Sequence, residues 1–225
     1  MDVAVSSGIG TLEWMEALDR ARVEYRMTAG DLCMNAWLLS FTRMLNILVD
    51  TSGYPLQFDI FGRAVPYPIG RRRTLLFPPL FALAGLCRLV LPALLSSRAR
   101  PRIRSREVRL VTPRLLAHTA LTVVEDDLLA PGTFERRLHV VRAANVLNRA
   151  YFDEQTLRRM AANLVARLTA GGVLVVCRTA PDGVNLGTVF RLTDAHRLDV
   201  CGRIGDGSDV DRLILESCVR AVQHA

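Results

Sequence analysis

The sequence predicts an α/β fold: a doubly wound, mostly parallel sheet that ends in an antiparallel hairpin. Apolar runs of strand length alternate with amphipathic segments of helical period, and the last two apolar runs, 187–192 and 197–204, follow each other directly. The 225 residues, half of them hydrophobic, suffice for one large domain with a filled core. We therefore predict a single domain over residues 1–225 that carries one inserted segment.

The first element pair is a strand that breaks at a Ser/Gly turn and runs into an amphipathic helix. Gly8 and Gly10 let the backbone approach a ligand closely, and Ser6 and Ser7 supply short hydroxyls. The free N–H groups of the helix from Thr11 favour an anionic group. Ordinary strand-to-helix junctions share this pattern, so the turn alone predicts either a ligand cradle or a plain connection.

The second strand, predicted over residues 23–29, closes on Gly30 and Asp31. Asp31 lies about 20 residues after the glycine turn, the spacing at which an acid ending the second strand of a doubly wound sheet accepts hydrogen bonds from ribose hydroxyls. A helix N-cap is the alternative role for this side chain.

An excursion over residues 38–106 interrupts the pattern. Two apolar runs, 44–49 and 56–65, flank a cluster of turn residues and predict a β-hairpin or an extended excursion. Residues 74–95 are the most apolar stretch, but Arg88 and three prolines oppose a membrane span. We expect a buried or lid helix there, with membrane-surface contact and a span as the alternatives.

Composition excludes several classes of function. All 29 basic residues are arginine, which indicates Arg-rich, bacterial-type codon usage and discounts the net charge of +7. The arginine run over 98–114 lacks interleaved aromatic residues, so we expect a solvated connector and no nucleic-acid partner. Five scattered cysteines form no metal-binding cluster, and the chain enters a strand without a secretory signal. The expectation is a reduced, cytoplasmic protein without a metal site.

The second half of the sequence is regular. A strand over 121–124 is followed by Asp126, Asp127 and Leu128, and a strand from 138 to 141 continues towards Asn145 and Asn148. A helix is predicted from residue 151 through 168, where the pair Gly171 and Gly172 stops it. A strand over 173–177, the terminal hairpin, and a last helix capped by Asp206 or Ser208 complete the pattern.

This order of elements resembles the class I S-adenosylmethionine-dependent methyltransferases, which are Rossmann-like, over nearly the whole chain. Residues 3–13 are similar to the motif that binds the methionine end of the cofactor, in a Ser-Ser-Gly form similar to that of chemotaxis-receptor methyltransferases. The stretch from 138 to 179 is the most specific match. The resemblance implies S-adenosylmethionine as cofactor, held by Ser6, Ser7, Gly8, Gly10, Glu13, Asp31, Asp126, Asp127, Leu128, Asn145 and Asn148.

Within that resemblance the residues have distinct expected roles. Asp31 would hold the ribose, and Asp126 or Asp127, with Asp127 preferred, would accept from the adenine amino group while a backbone N–H meets the ring. Three departures matter: His139 replaces a usual acid, Ala144 replaces an arginine, and two extra residues precede Tyr151. Receptor glutamate methylation is therefore not carried over.

Methyl transfer from a sulfonium is an in-line displacement, so positioning and water exclusion supply much of the acceleration. A general base is needed only when the acceptor carries a proton that must leave early. We name Asn145 as the best polar contact, His139 as the candidate base and Tyr151 as a wall of the acceptor pocket. A structural histidine in a buried strand and a core aromatic are the alternatives for the last two.

The predicted function is transfer of a methyl group to a small-molecule acceptor, of hydrophobic character because the excursion over 38–106 is apolar. A non-catalytic accessory protein of the same fold, with peripheral membrane contact, is the alternative. Because the first strand begins at residue 2, we expect the cover of the site to be missing. A second copy or a partner subunit would then close it.

Overall fold

The computed structural model describes residues 1–66, 85–86, 89–90, 104–130, 134–180, 182–193 and 197–221. They form two compact units: the first comprises Met1–Leu32 and Val111–Ala225, and the second comprises Cys33–Leu110. The excursion expected over 38–106 lies inside the second unit.

The elements of both units in chain order are β1 (Asp2–Val3), α1 (Ile9–Arg20), β2 (Met27–Asp31), β3 (Asn35–Thr42), β4 (Leu45–Val49), β5 (Pro55–Ile60), β6 (Arg63–Pro66), β7 (Arg104–Arg109), α2 (Pro113–Leu116), β8 (Leu121–Glu125), β9 (Leu138–Ala144), α3 (Glu154–Ala166), β10 (Leu168–Thr179), β11 (Asn185–Leu192), β12 (Leu198–Ile204) and α4 (Asp211–Ala221).

The first unit contains a seven-stranded sheet of order β12-β11-β10-β9-β1-β2-β8. The five strands β8, β2, β1, β9 and β10 are parallel, whereas β11 and β12 add antiparallel to one edge. From β1 the sheet extends through β2 to β8 on one side and through β9 to β12 on the other. This reversal of strand order defines a doubly wound sheet. The predicted α/β fold with its terminal antiparallel hairpin is confirmed.

The two faces of this sheet carry different elements. On one face Val3, Val141 and Phe190 pack in a core with α3 and α4, which contribute Leu164 and Ile214. Successive side chains of a strand point to opposite faces, so Asp2 faces the other side, where Thr11 of α1 bonds to it. The helices α1 and α3 therefore cover opposite faces.

Helix α3 begins later and ends earlier than the sequence predicts. It starts at Glu154, because the Asp153 carboxylate caps it by accepting from the Thr156 N–H, and not at Tyr151. It ends at Ala166, so Leu168 belongs to the next strand. The predicted glycine stop was wrong: Gly171 and Gly172 lie within β10.

The glycine pair forms an irregularity in β10. The register between β10 and β9 shifts between Leu168 and Val173, as in a β-bulge. A Cβ on Gly172 would lie 2.8 Å from the Thr169 carbonyl oxygen, a contact that no other residue could make without a shift. The glycines thus serve close backbone approach inside a strand, which a helix-stop interpretation of the sequence misses.

Strand β2 is shorter than predicted and begins at Met27. After α1 the backbone of Arg22 is left-handed, with φ of 56°, and the Val23 N–H bonds back to the Leu18 carbonyl. The turn that ends the helix therefore includes residues whose alternating polarity is typical of a strand.

The second unit is an antiparallel sheet of order β6-β5-β4-β3-β7 around Leu39, Ile47, Val49 and Phe58. The predicted hairpin is present as β4 and β5, and its turn is organised by Asp50, whose Oδ1 accepts from the N–H groups of Ser52 and Tyr54. The sequence prediction missed β3 and β6.

The arginine run is also more ordered than expected. Residues 104–109 form β7, which pairs with β3 at the edge of the sheet, where the sequence predicted a connector with only a short strand over 108–111. Residues 98–103 lie outside the described part of the chain.

Most of the apolar stretch 74–95 likewise lies outside the described residues. The exceptions are the helical residues 85–86 and 89–90, in which Leu86 and Leu89 are exposed. None of the helices in the described ranges has both the length and the apolar character required to cross a membrane. The lid interpretation stays a prediction.

Candidate functional site

The turn between β1 and α1 has an unusual backbone. Ala4, Ser6 and Gly8 all adopt left-handed conformations, with φ of 54°, 52° and 76°. Glycine takes such angles freely, whereas a residue with a Cβ pays about 1–2 kcal/mol to do so. The chain thus adopts a glycine-type loop with two residues that strain it, and such strain is common in ligand-binding loops.

Gly8 is required by packing. A Cβ there would lie 2.5 Å from Cδ2 of Leu115 in α2. The Ser7 carbonyl accepts a hydrogen bond of 2.9 Å from the Thr112 N–H, which fastens the turn to the start of α2. Gly10 is different, because its nearest neighbour is the flexible guanidinium of Arg142, at 3.4 Å. Gly8 therefore fixes the loop, while Gly10 leaves the start of α1 uncrowded.

Asp31 lies at the carboxyl end of β2, directly beside this loop. Its Oδ2 accepts from the Ser6 N–H at 2.7 Å, and its own carbonyl accepts from the Asp126 N–H at 2.8 Å. The acid and the Ser/Gly turn, about 20 residues apart in sequence, are thus brought into contact. This hydrogen bond also offsets part of the backbone strain at Ser6.

The two neighbouring acids after β8 have different environments. Asp126 forms a bidentate pair with Arg167, with N–O distances of 2.6 and 3.0 Å, and the two side chains are 8% and 1% exposed. Asp127 is exposed, and its Oδ1 accepts from the Leu129 N–H at 2.8 Å. Among the residues that the structure describes, no arginine pairs with its charge. Asp126 is therefore held in an ion pair, whereas Asp127 is exposed to solvent.

Leu128, between these acids and the core, is buried, and its carbonyl accepts from the side-chain amide of Asn163 at 2.9 Å. The backbone of this segment is thereby tied to α3. That bond holds the position of Asp127 relative to the end of β8.

The end of β9 contributes Asn145. Its φ is 59°, its N–H donates to the Cys177 carbonyl, and its Oδ1 accepts from the Thr179 N–H at 2.8 Å. The side chain therefore bridges the ends of β9 and β10. Asn145 is placed at the predicted edge, where its left-handed backbone and exposed amide reach solvent.

The loop after Asn145 carries the other two predicted residues. The Asn148 side-chain oxygen accepts a hydrogen bond of 2.8 Å from the Ala150 N–H. The backbone carbonyl of Asn148 accepts from the N–H groups of Tyr151 and Phe152. Tyr151 is 76% exposed, so it is not the core aromatic that was the alternative interpretation. Both residues belong to a loop between β9 and α3 at the carboxyl edge of the sheet.

His139 does not belong to this group. It is the second residue of β9, and Asn145 follows six residues later, just past the end of that strand. At about 3.3 Å per residue the two are separated by about 20 Å. His139 is exposed at the amino edge of the sheet, so the prediction of a general base is corrected: the histidine is too far from the loop to act there.

Glu13, the remaining predicted contact, lies one turn into α1 and is exposed. Within the described ranges no hydrogen bond holds its side chain against the loop, in contrast to that of Asp31. It keeps its predicted role only as a proposal.

Sequence reasoning missed a polar cluster beneath the loop. The Arg142 guanidinium pairs with the 1%-exposed Asp2 through bonds of 2.9 and 2.6 Å and stacks on the Trp14 ring, 4.8 Å from its centroid. The Thr11 hydroxyl donates to the same carboxylate at 2.6 Å. The cluster joins β1, α1 and β9, the three elements that flank the loop. The partners are up to 140 residues apart, so no local pattern indicates them.

No cluster of three or more potential metal ligands occurs among the residues that the structure describes. The arrangement offers instead a carboxylate edge beside a left-handed loop and the start of a helix. Such an edge can accept hydrogen bonds from hydroxyl and amino groups and can bind an anionic group through backbone N–H groups.

No protein-family model and no curated protein matches the sequence. Among solved structures, the CMeT domain of the citrinin polyketide synthase is 12% identical, with a TM-score of 0.37, over 78% of this chain and 27% of that one. The [4+2]-cyclase SpnF is 13% identical, with a TM-score of 0.37, over 98% and 49%.

A third structure is SAM-bound CalS10, an amino pentose methyltransferase from Micromonospora echinaspora. It is 13% identical, with a TM-score of 0.33, over 85% of this chain and 54% of that one. The chain spans about a quarter of the length of the first structures it matches, 27% and 26%. The activities named belong to those proteins, and the candidate site of this chain rests on its own geometry.

Proposed function

We propose that the first unit binds S-adenosylmethionine at the carboxyl edge of its sheet and transfers the methyl group to a small-molecule acceptor. The contact between Asp31 and the Ser6 N–H carries the proposal, because it joins the acid after β2 to the left-handed loop after β1. A nucleoside with an anionic tail needs this combination of acid and backbone N–H groups at one sheet edge.

The residues present fit such a cofactor. Asp31 engages one carboxylate oxygen with Ser6, which leaves the other for a ribose hydroxyl. Asp127 is exposed and lies after the neighbouring strand, suited to an exocyclic amino group. When bound, the cofactor would supply a methyl group activated by the positive sulfonium.

The protein's own contribution is then orientation. The hydrogen bond from the Thr179 N–H holds the Asn145 side chain at the carboxyl edge of the sheet. There its amide can form a hydrogen bond with the cofactor or the acceptor. Tyr151 is exposed in the next loop and can form one wall for the acceptor. With His139 at the opposite edge, no histidine is assigned as base. An acceptor whose proton need not leave early suits this arrangement.

The acceptor is proposed to be hydrophobic, on the apolar composition of residues 74–95. A cytoplasmic location belongs to the same proposal. Each rests on sequence composition and would be tested separately from cofactor binding.

Isothermal titration calorimetry with S-adenosylmethionine tests the first step. The intact chain should bind one equivalent, and Asp31→Ala should weaken binding at least tenfold, the effect of losing about 1.4 kcal/mol of hydrogen bonding to a charged group. Asp182→Ala is the matched control, because Asp182 also accepts from a backbone N–H, that of Val184, in a turn after β10. Absence of binding by the intact chain would refute the proposal.

Transfer is a separate measurement. Incubation with methyl-labelled cofactor and a panel of hydrophobic hydroxyl, amine and carbon acceptors should label at least one of them. Saturable binding without transfer to any class would favour the accessory interpretation instead.

A further inference from the structure

A second concave site lies in the first unit, at the amino edge of the sheet. A cavity of about 740 Å³ opens between the second half of α1, the segment that enters β2 and the start of β9. Trp14 and Leu18 line it from α1, Val23 and Tyr25 from the segment before β2, and Val140 from β9. We call it the amino-edge groove. Its volume is within the range of small-molecule sites, about 300–1,000 Å³.

The amino-edge groove is separate from the proposed cofactor edge. His139 lines the groove near the start of β9, and Asn145 follows the end of that strand. At about 3.3 Å per residue, the two residues are about 20 Å apart. Asp31 and Ser6 are not among its lining residues. A molecule in the groove would therefore not compete with a nucleoside at the carboxyl edge.

The walls of the groove present apolar surface that is held in place. The Trp14 ring is fixed by the stacked guanidinium of Arg142, which is itself held by Asp2. The Tyr25 hydroxyl donates to Asp19 Oδ1 at 2.9 Å, so its polar end is already satisfied. Val23 is 48% exposed although it is β-branched and apolar. Pre-formed aromatic and aliphatic surface of this kind binds the apolar body of a ligand at little ordering cost.

Charged and polar side chains also line the groove. Arg26, Arg137 and His139 line it, against the single carboxylate of Glu24. Among the described residues neither Arg26 nor Arg137 has a carboxylate within the 4.0 Å of an ion pair. Two exposed arginines thus lie beside an apolar wall, without an ion-pair partner among the described residues.

The amino group of Met1 adds little to this charge at neutral pH. It donates to the Val140 carbonyl at 2.7 Å, and its burial lowers its pKa to about 6. At pH 7 the two arginines therefore supply more of the positive charge of the lining than this amino group does.

We propose that the amino-edge groove binds a hydrophobic organic anion. An aromatic or aliphatic body lies against Trp14, Leu18 and Val23, and a carboxylate, sulfonate or phosphate group meets Arg137 and Arg26. Guanidinium recognises such oxyanions through paired N–H donors, and the apolar body supplies most of the buried area. The proposal is independent of the methyl-transfer activity.

A pair of fluorescent probes with nearly the same ring system and different charge tests it. Anilinonaphthalene sulfonate is anionic, and N-phenyl-1-naphthylamine is its uncharged analogue. In titrations at pH 7.5 we expect saturable, one-to-one binding of the anionic probe and about tenfold weaker binding of the neutral one, the difference made by about 1.4 kcal/mol of charge-assisted hydrogen bonding.

Variants assign the binding to the groove. The double substitution Arg26→Gln with Arg137→Gln should abolish the preference for the anionic probe, while Arg159→Gln, an exposed arginine of α3, should preserve it. Val23→Ser should weaken both probes at least threefold, and because Val23 is half exposed, the fold should tolerate the change. Near-UV circular dichroism of each variant verifies that the native packing is kept.

Equal affinity for the two probes, or an anion preference that survives the double arginine substitution, would overturn the proposal. So would binding that is lost in Asp31→Ala, since the probe would then lie at the carboxyl edge. Failure of S-adenosylmethionine to bind leaves these outcomes unchanged, which separates this proposal from the proposed function.

Discussion

Four aspartates of the first unit lie in two regions with opposite properties. Beneath the sheet edge, Asp2 and Asp126 are buried and paired with Arg142 and Arg167. At the edge itself, Asp31 and Asp127 are held by backbone N–H groups, without an arginine within ion-pair distance in the described part of the chain. The buried pairs join elements of the fold, whereas the proposed role of the edge acids is to bind the cofactor. Two adjacent aspartates, 126 and 127, fall on different sides of this division.

Removal of one partner of a buried ion pair should have the largest effect on the free energy of unfolding. Arg167→Ala leaves the Asp126 carboxylate desolvated and unpaired, so it should lower the free energy of unfolding by about 3–5 kcal/mol. Arg178→Ala is the control: its contact with Asp209 is 3.6 Å long and partly exposed, and the loss should be about 1 kcal/mol or less. Urea titrations followed by circular dichroism give both values.

A double substitution separates pairing from packing. Asp126→Leu together with Arg167→Met removes both charges and keeps apolar volume, so most of the lost stability should return. If Arg167→Ala unfolds at the same urea concentration as the parent, Asp126 is not a structural carboxylate and becomes available again as a ligand contact.

The fold was predictable from the sequence because local sequence patterns indicate most of its strands and their order. Strands such as β8 and β9, and the order of parallel strands with a terminal hairpin, follow from apolar periodicity and turn residues. The boundaries that were wrong, at Val23 and at Gly171, lie where a turn or a bulge uses residues typical of another element.

The site was predictable only in part. Asp31 could be identified because its spacing from the Ser/Gly turn reflects the length of one strand-helix-strand unit. The distinction between Asp126 and Asp127 could not, since it depends on Arg167, 41 residues later and one of 29 arginines. The assignment of His139 as a base failed for a different reason: the predicted strand start at residue 138 agrees with β9, and a residue near the amino end of a parallel strand lies opposite the carboxyl edge.

A second test concerns the strained loop at the edge. Gly8→Ala places a Cβ 2.5 Å from Leu115 Cδ2 and imposes a left-handed backbone on alanine, so it should cost about 2–4 kcal/mol. Ala4→Gly is the opposite change at a similar φ, and relief of strain should exceed the added chain entropy by about 0.5 kcal/mol. Denaturant unfolding of the two variants against the parent measures both. A stabilising Gly8→Ala would contradict the packing argument.

A smaller effect sharpens the link between the buried cluster and the edge. Thr11→Val removes the hydroxyl that donates to Asp2 at 2.6 Å and preserves the side-chain shape, so it should cost about 1–2 kcal/mol. Because the substitution touches no edge acid, affinity for S-adenosylmethionine should fall less than in Asp31→Ala. An equal loss of affinity would show that the cluster and the edge act as one unit.

The smallest expected effect is a pH dependence at the start of α3. Hydrogen bonding from the Thr156 N–H holds the pKa of the Asp153 carboxyl below its usual value. The folded pKa is thus lower than the unfolded one, so the stabilisation is complete above the unfolded pKa and is lost as pH falls through the folded pKa. Asp153→Ser keeps a capping oxygen that does not titrate in this range. Unfolding measured from pH 6 to pH 2.5 should therefore show the parent losing its advantage over Asp153→Ser as the pH falls, and a constant difference across that range would mean that ionisation of Asp153 does not contribute to stability.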